Sequence, residues 1–209
     1  MAVSRETGAQ LLQSVAERIL TRYLGRGAAH GAEAVSGSLT FASRGIDITY
    51  SAGAERRSVK VKADPYFGTD SAKIGDRSLA FYRADTGMAA LEAVANSTTR
   101  QPGWMLESDA DELCYYYLAL AQPENEVRAL LGEPDEVFFS ELEVERDDLI
   151  VIPMAEARVW FEANADSYPP RPVFLGSTSA WYRLVPRAVL QSELPGVRIV
   201  GPVFASLAL

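Results

Sequence analysis

The stretch at positions 45–64, GIDITYSAGAERRSVKVKAD, predicts a β-hairpin. Apolar residues at Ile46, Ile48 and Tyr50 favour a first strand, and Val59 and Val61, which alternate with polar neighbours, favour a second. The small residues at positions 52–54 between the two runs supply the turn. We therefore expect the rest of the chain to be organised around a sheet that contains this hairpin.

Acidic and basic side chains share one face of the predicted hairpin. Residues two apart in a strand point the same way, so Ser58, Lys60 and Lys62 form one row. The antiparallel return of the chain brings Asp47 within reach of that row. A carboxylate beside an ammonium group on a rigid sheet is suited to binding a metal ion and a phosphate.

This arrangement resembles the PD-(D/E)XK nuclease superfamily, whose pattern is an acid on one strand, then an acid, any residue and a lysine on the next. Asp47 matches the first acid, and Lys62, or in another register Lys60, matches the lysine. The residue two positions before the lysine is then Lys60 or Ser58, so the second acid is missing from its usual place. Glu92, in an LEA segment ahead of the GW dipeptide at positions 103–104, is similar to the later glutamate of some phage-type relatives.

The resemblance implies a fold, an activity and a set of site residues. The implied fold is α/β, a single layered domain with a central mixed sheet flanked by helices, restriction-endonuclease-like, with its core at positions 5–190. The implied activity is metal-dependent hydrolysis of phosphodiester bonds in nucleic acid, with Mg²⁺ or Mn²⁺ as cofactor. The implied catalytic residues are Asp47, Lys62 and Glu92, the metal ligands are Asp47 and Glu92, and the nucleic-acid contacts are Lys60, Arg57 and Arg83.

Many members of the superfamily also carry a glutamate on the preceding helix. Glu17 occupies such a helix here. The alternative is an exposed helical glutamate that pairs with its neighbour Arg18.

Composition limits the remaining choices. A chain of 209 residues with ordinary apolar content is long enough for one sizeable core, so we expect a single domain over positions 1–209. One cysteine, Cys114, and one histidine, His30, exclude an internal disulfide and a multi-histidine metal site, which leaves oxygen ligands for Mg²⁺ or Mn²⁺.

No apolar run reaches the length of about eighteen residues that a membrane span needs, and the amino terminus does not look like a secretion signal. These features predict a cytoplasmic protein that does not bind membranes.

Charge is distributed unevenly along the chain. The net charge of −8 argues against a uniformly basic nucleic-acid-binding protein. Positions 56–100 nevertheless hold eight basic and five acidic residues, a local charge of +3 against −11 elsewhere. A local patch that faces phosphate is one interpretation, and scattered surface charge is the other.

Apolar periodicity predicts the other elements. Helices are predicted at positions 5–24, 110–120, 126–131, from Pro153 onward and at 186–193, and strands at 137–143, 149–153 and 181–185. Positions 86–96 fit a helix or a strand, and only a strand that pairs with the Lys62 strand would let Glu92 complete a metal site. Positions 69–85 are interpreted as a long loop. This loop either grips substrate or is a decoration that packs nearby aromatic residues into a side cluster: Tyr66, Phe67, Phe81 and Tyr82. The apolar tail at 196–209 either packs back on the domain or forms a homodimer contact. His30 is expected in a loop, and Cys114 is expected to be an inert core residue.

Two functions follow as hypotheses. The chain has no phosphate-binding glycine loop, no serine elbow and no cysteine cluster, which excludes the commonest nucleotide, hydrolase and zinc sites. The first hypothesis is a metal-dependent nuclease that acts on nucleic acid. The second is a nuclease-fold protein that has lost catalysis and acts as a binding or interaction module. An unrelated α/β protein remains the third alternative, and the sequence does not choose between DNA and RNA.

Overall fold

The computed structural model describes residues 3–26, 29–65 and 87–207, which form seven α-helices and ten β-strands. The helices are α1 (Val3–Arg26), α2 (Leu39–Ala42), α3 (Trp104–Glu107), α4 (Glu124–Leu130), α5 (Asp135–Glu141), α6 (Met154–Asn164) and α7 (Arg187–Glu193). The strands are β1 (Ala29–Ala34), β2 (Ile48–Ala52), β3 (Glu55–Asp64), β4 (Met88–Asn96), β5 (Gln101–Pro102), β6 (Glu112–Leu120), β7 (Val144–Pro153), β8 (Pro170–Leu175), β9 (Thr178–Pro186) and β10 (Arg198–Gly201). None of these helices is both long enough and apolar enough to cross a membrane.

Six strands form a mixed central sheet, which we call sheet A. Their order is β1-β2-β3-β6-β7-β10, with β3 and β6 parallel and the other neighbours antiparallel. The predicted hairpin is present as β2 and β3, with Ile48 opposite Val59 and with Gly53 in the turn at a φ of +65°. The prediction of a layered α/β domain with a central mixed sheet is therefore confirmed.

Sheet A is covered on both faces. Helix α1 packs on one face, where Val15 and Ile19 lie in the same buried cluster as Val59 and Val61 of β3. The second sheet, sheet B, with the strand order β5-β4-β9-β8, contributes to the cluster on the other face together with α6. Because both faces are covered, β6 at the centre of sheet A is buried along most of its length.

Two predicted elements are of the wrong type. Positions 110–120 were expected to form a helix, and they form β6, because ELCYYYLAL is a continuous apolar run with both faces buried, for which periodicity does not separate strand from helix. Positions 137–143 were expected to form a strand, but Asp135–Glu141 is helix α5. Pro134 precedes the first turn of α5, and Asp135 and Glu136 lie within that turn, which is typical of the start of a helix.

Further expectations need correction or completion. Positions 86–96 form a strand, β4, but it pairs with β9 and β5 and not with β3. Strand β9 is not the last strand, because β10 follows and pairs with β7, and Val203 and Leu207 are buried under α1, so the tail packs back on the domain. The backbone at His30 belongs to β1 and not to a loop. The expected gripping loop at 69–85 lies outside the described residues.

Prolines protect the open edge of sheet B. In the part of the chain that the structure describes, β8 is the last strand of this sheet. The N–H of Leu184 donates to the carbonyl of Pro169, so the backbone of the odd-numbered residues of β8 faces β9. The backbone of Pro170, Pro172 and Phe174 therefore faces the open edge. Proline has no N–H to offer, so two of these three positions cannot donate to an added strand.

Candidate functional site

Buried Asp47 and half-buried Lys60 form an ion pair, which we call the edge pair. Asp47 lies just before β2, and its N–H donates to the carbonyl of Val59, the residue before Lys60. The Lys60 ammonium lies 2.9 Å from Oδ2 and 3.3 Å from Oδ1 of Asp47. The expectation that the hairpin brings Asp47 to the lysine row is thus confirmed for Lys60.

The Asp47 carboxylate also binds the backbone of β3 beyond the end of β2. Strand β2 does not extend along β3 beyond Val59, so among the described residues the backbone of Val61 and Ala63 has no strand partner on that side. The N–H of Val61 donates to Asp47 Oδ2 at 2.7 Å. The side chain of Gln13 on α1 accepts from the N–H of Ala63 at 3.2 Å and donates to the carbonyl of Val61 at 3.0 Å. Asp47 and Gln13 therefore replace a missing strand, which is a structural role for the predicted metal ligand.

Glu17 lies next to the edge pair. Its carboxylate accepts hydrogen bonds from the Ser36 hydroxyl at 2.6 Å and from the Gln13 amide at 3.0 Å. Burial raises the pKa of Glu17, the Asp47 carboxylate adds to this rise, and the two hydrogen bonds and the Lys60 ammonium oppose it. Glu17 is thus a partly buried acid near Asp47, and not the exposed partner of Arg18, whose guanidinium binds Asp135 instead.

Lys62 and Glu92 meet at a different place, around Tyr182 of β9. The Tyr182 hydroxyl donates to Glu92 Oε1 at 2.8 Å, and the Lys62 ammonium lies 5.7 Å from the centroid of the Tyr182 ring. The backbone N–H of Trp104 donates to Glu92 Oε2 at 3.0 Å. Burial raises the pKa of the Tyr182 phenol, and the Glu92 carboxylate raises it further, so Tyr182 stays protonated and donates to Glu92.

Asp64 belongs to the same place, although sequence reasoning did not select it. It lies two residues after Lys62 in β3 and accepts a short hydrogen bond from the buried Tyr115 hydroxyl. The Tyr115 hydroxyl in turn accepts the N–H of Ala90 in β4 at 2.8 Å. We call Lys62, Asp64, Glu92, Tyr115 and Tyr182 the inter-sheet cluster, because they come from strands of both sheets. The two-residue alternation of β3 was the signal that could have identified Asp64.

The remaining predicted contacts lie elsewhere. Arg57 is separated from Lys60 and Lys62 by an odd number of positions in β3, so it lies on the opposite face of the strand. Its guanidinium lies 3.6 Å from Glu112 and 3.4 Å from Glu55. Arg83 lies outside the described residues.

The described arrangement does not fit a divalent ion shared by Asp47 and Glu92. Both oxygens of Asp47 lie within 3.3 Å of an ammonium group, and both oxygens of Glu92 already accept a hydrogen bond. Within residues 3–26, 29–65 and 87–207, no group of three or more histidine, cysteine, aspartate or glutamate side chains is placed to hold a metal. We therefore derive no catalytic step through a metal at these two residues.

Comparison with known proteins gives no relative. No family model, no curated protein and no solved structure matches this chain. Functional conclusions therefore depend on the residues and their geometry.

Proposed function

We propose that this chain is a restriction-endonuclease-like protein that has lost hydrolytic activity and acts as a binding module. The edge pair carries the proposal, because Lys60 stands two residues before Lys62, where the resembled superfamily has its second acid, and its ammonium contacts Asp47. The β2–β3 hairpin beside the parallel strand β6, with α1 on one face, supports the fold assignment.

The edge pair opposes metal-dependent hydrolysis for an electrostatic reason. Hydrolysis of a phosphodiester by a metal ion requires carboxylates that hold the ion and lower the pKa of its bound water. The Lys60 ammonium already neutralises Asp47 at 2.9 Å, and a divalent cation placed there would be repelled by Lys60. A metal ion would have to displace a partly buried ion pair before it could bind.

Metal titration and cleavage assays test this proposal. Calorimetry with Mg²⁺ and Mn²⁺ should give no binding heat at millimolar metal, and single- and double-stranded DNA and RNA should stay intact. The Lys60→Asp variant restores an acid two residues before Lys62 and should gain metal binding. Lys60→Met, which removes the same positive charge without adding an acid, is the matched control. Metal binding and cleavage by the wild type would contradict the proposal.

A metal-dependent nuclease is the second candidate, and the inter-sheet cluster favours it. Two carboxylates, Asp64 and Glu92, and one ammonium, Lys62, surround Tyr182. In this hypothesis Mg²⁺ or Mn²⁺ would replace the hydrogen bonds that Glu92 now accepts, Lys62 would stabilise charge on the reacting phosphate, and Lys60 would leave Asp47 to contact a neighbouring phosphate. Cleavage that requires Mg²⁺ and disappears in Glu92→Gln, with the fold retained, would favour this candidate over the first.

A further inference from the structure

The negative charge of the chain is concentrated in one short segment. Positions 124–148 hold ten acidic and two basic residues, a local net charge of −8 that equals the charge of the whole chain. This segment includes α4, α5 and the start of β7. The rest of the chain is electrically balanced.

Most of these acids are not used to hold the fold together. Asp135 pairs with Arg18, Asp148 pairs with Arg187, and Asp147 accepts hydrogen bonds from Tyr116 and from the tail. Six glutamates are exposed and form no ion pair in the part of the chain that the structure describes: Glu124, Glu126, Glu133, Glu136, Glu141 and Glu143. Unpaired charge of one sign on one surface is suited to a partner of the opposite sign.

An apolar groove lies among these glutamates, between α4 and α5. It has a volume of about 330 Å³, and Gln122 lines it together with apolar Ala129, Leu130 and Val137 and acidic Glu126, Glu133 and Glu141, the six residues that concern a partner. Val137 is 39% exposed although it is a large aliphatic residue on a helix. We call these six residues the α4–α5 groove.

Hydrogen bonds from the side chains of Arg18 and Gln122 fix the backbone around the groove. The Arg18 guanidinium donates to the carbonyls of Leu131 and Glu133 in the turn between the two helices, at 3.2 and 2.6 Å. Gln122 donates to the carbonyl of Glu141 at 2.8 Å and accepts from the N–H of Glu143 at 2.9 Å. A partner would therefore meet a preformed surface and would not have to order it.

We propose that the α4–α5 groove docks a basic amphipathic helix of a partner protein. An apolar strip flanked by lysine and arginine matches an apolar groove flanked by glutamates. A helix presents such a strip when its apolar residues recur at every third or fourth position. The small groove fits a transient contact whose strength falls as salt rises. This proposal depends on the proposed function only in that a binding module needs a docking surface. It uses no residue of the edge pair or of the inter-sheet cluster.

Binding of a synthetic probe tests the proposal. The probe is a fluorescein-labelled peptide with leucines on a narrow helical face and lysines on the remainder, and its comparison is a scrambled peptide of the same composition. Fluorescence anisotropy measures the affinity of the full chain at low and high salt. Resonance shifts in ¹⁵N-labelled protein identify the residues that contact the peptide.

Matched variants separate the groove from general charge attraction. The triple variant Glu126→Gln, Glu133→Gln, Glu141→Gln should weaken the peptide about tenfold, since it removes three flanking charges. The control triple Glu107→Gln, Glu156→Gln, Glu162→Gln removes the same charge from exposed sites outside the groove and should change affinity less than about twofold.

The apolar part of the groove has its own matched control. Val137→Ser should weaken the peptide about fivefold, whereas Val159→Ser, at a valine that is 70% exposed on α6, should leave affinity unchanged. Equal weakening by both triples, equal binding of the scrambled peptide, or resonance shifts outside α4 and α5 would each overturn the proposal. Metal binding and nucleic-acid cleavage by the wild type would contradict the proposed function without changing the peptide result, so the two proposals fail separately.

Discussion

Removal of the Asp47 carboxylate should destabilise the fold strongly. In Asp47→Ala, the N–H of Val61 loses its acceptor and the Lys60 ammonium loses its counter-charge. A buried donor left without a partner costs about 1–3 kcal/mol, and removal of one member of a buried ion pair costs about 3–5 kcal/mol in total. The Lys60 side chain is 18% exposed and can reach water, so we expect the lower end, about 3 kcal/mol.

Conservative variants separate the two contributions. Asp47→Asn keeps an oxygen for the Val61 N–H and loses only the charge, so it should cost about 1–2 kcal/mol. Lys60→Met removes the ammonium and leaves Asp47 bonded to Val61, at a similar cost. In a double-mutant cycle of these two variants, the coupling free energy should be about 1–2 kcal/mol, because the residues are in direct contact.

Urea denaturation followed by circular dichroism measures these differences, with the slope of the transition checked for each variant. A loss of about 3 kcal/mol is large against the total of about 5–15 kcal/mol typical of a folded protein. If Asp47→Ala changes the free energy of unfolding by less than about 0.5 kcal/mol, or if the coupling is zero, the edge pair does not stabilise the sheet. A purely catalytic Asp47 would instead be replaced without effect on stability.

Three other perturbations have outcomes that the structure specifies. Gly103→Ala should cost about 1–3 kcal/mol or more in urea denaturation, because a Cβ there would lie 2.3 Å from the backbone oxygen of Glu92, whereas Gly37→Ala, with nothing within 4 Å, should be neutral. Burial raises the pKa of Glu17 above its ordinary value of 4.5. Protonated Glu17 therefore favours the folded state, and this contribution to stability is fully present below pH 4.5 and is lost as the pH rises through the raised pKa. Glu17→Gln should therefore gain stability relative to the wild type between about pH 4 and 7, and a pH-independent difference would contradict the assignment. Pro172→Val adds an N–H to the open edge of β8 and should produce concentration-dependent association in light scattering, and a variant that stays monomeric would show that proline does not protect this edge.

Local patterns predicted the hairpin well, and long-range pairing was not predictable. The turn at Gly53 fixes the register of β2 and β3, so the meeting of Asp47 with Lys60 follows from short-range sequence alone. The partner of β4 is β9, which lies about ninety residues later, and no local signal reports such a pairing. Glu92 was therefore identified as a candidate without any means to place it beside Tyr182.

Burial on two faces explains the largest error in the elements. Strand β6 has an apolar residue at nearly every position because each face packs against a different layer, with Tyr116 under α1 and Tyr115 against sheet B. A helix buried all round gives the same run of apolar residues, so periodicity alone does not decide. Three consecutive tyrosines were the better signal, since aromatic residues favour strands.

The edge pair links the resemblance to the stability of the sheet. A carboxylate that is 7% exposed needs hydrogen-bond donors or a nearby cation, and in a metal-dependent enzyme the ion supplies the positive charge. Here Lys60 supplies it from within the chain, while the same carboxylate completes the edge of β3 through Val61. Asp47 is therefore required by the fold even where no metal binds, so its presence alone is not evidence for catalysis. Position 60 is more informative than position 47. An acid at position 60 would place two carboxylates close together and would require a cation, whereas lysine neutralises Asp47 without a metal ion.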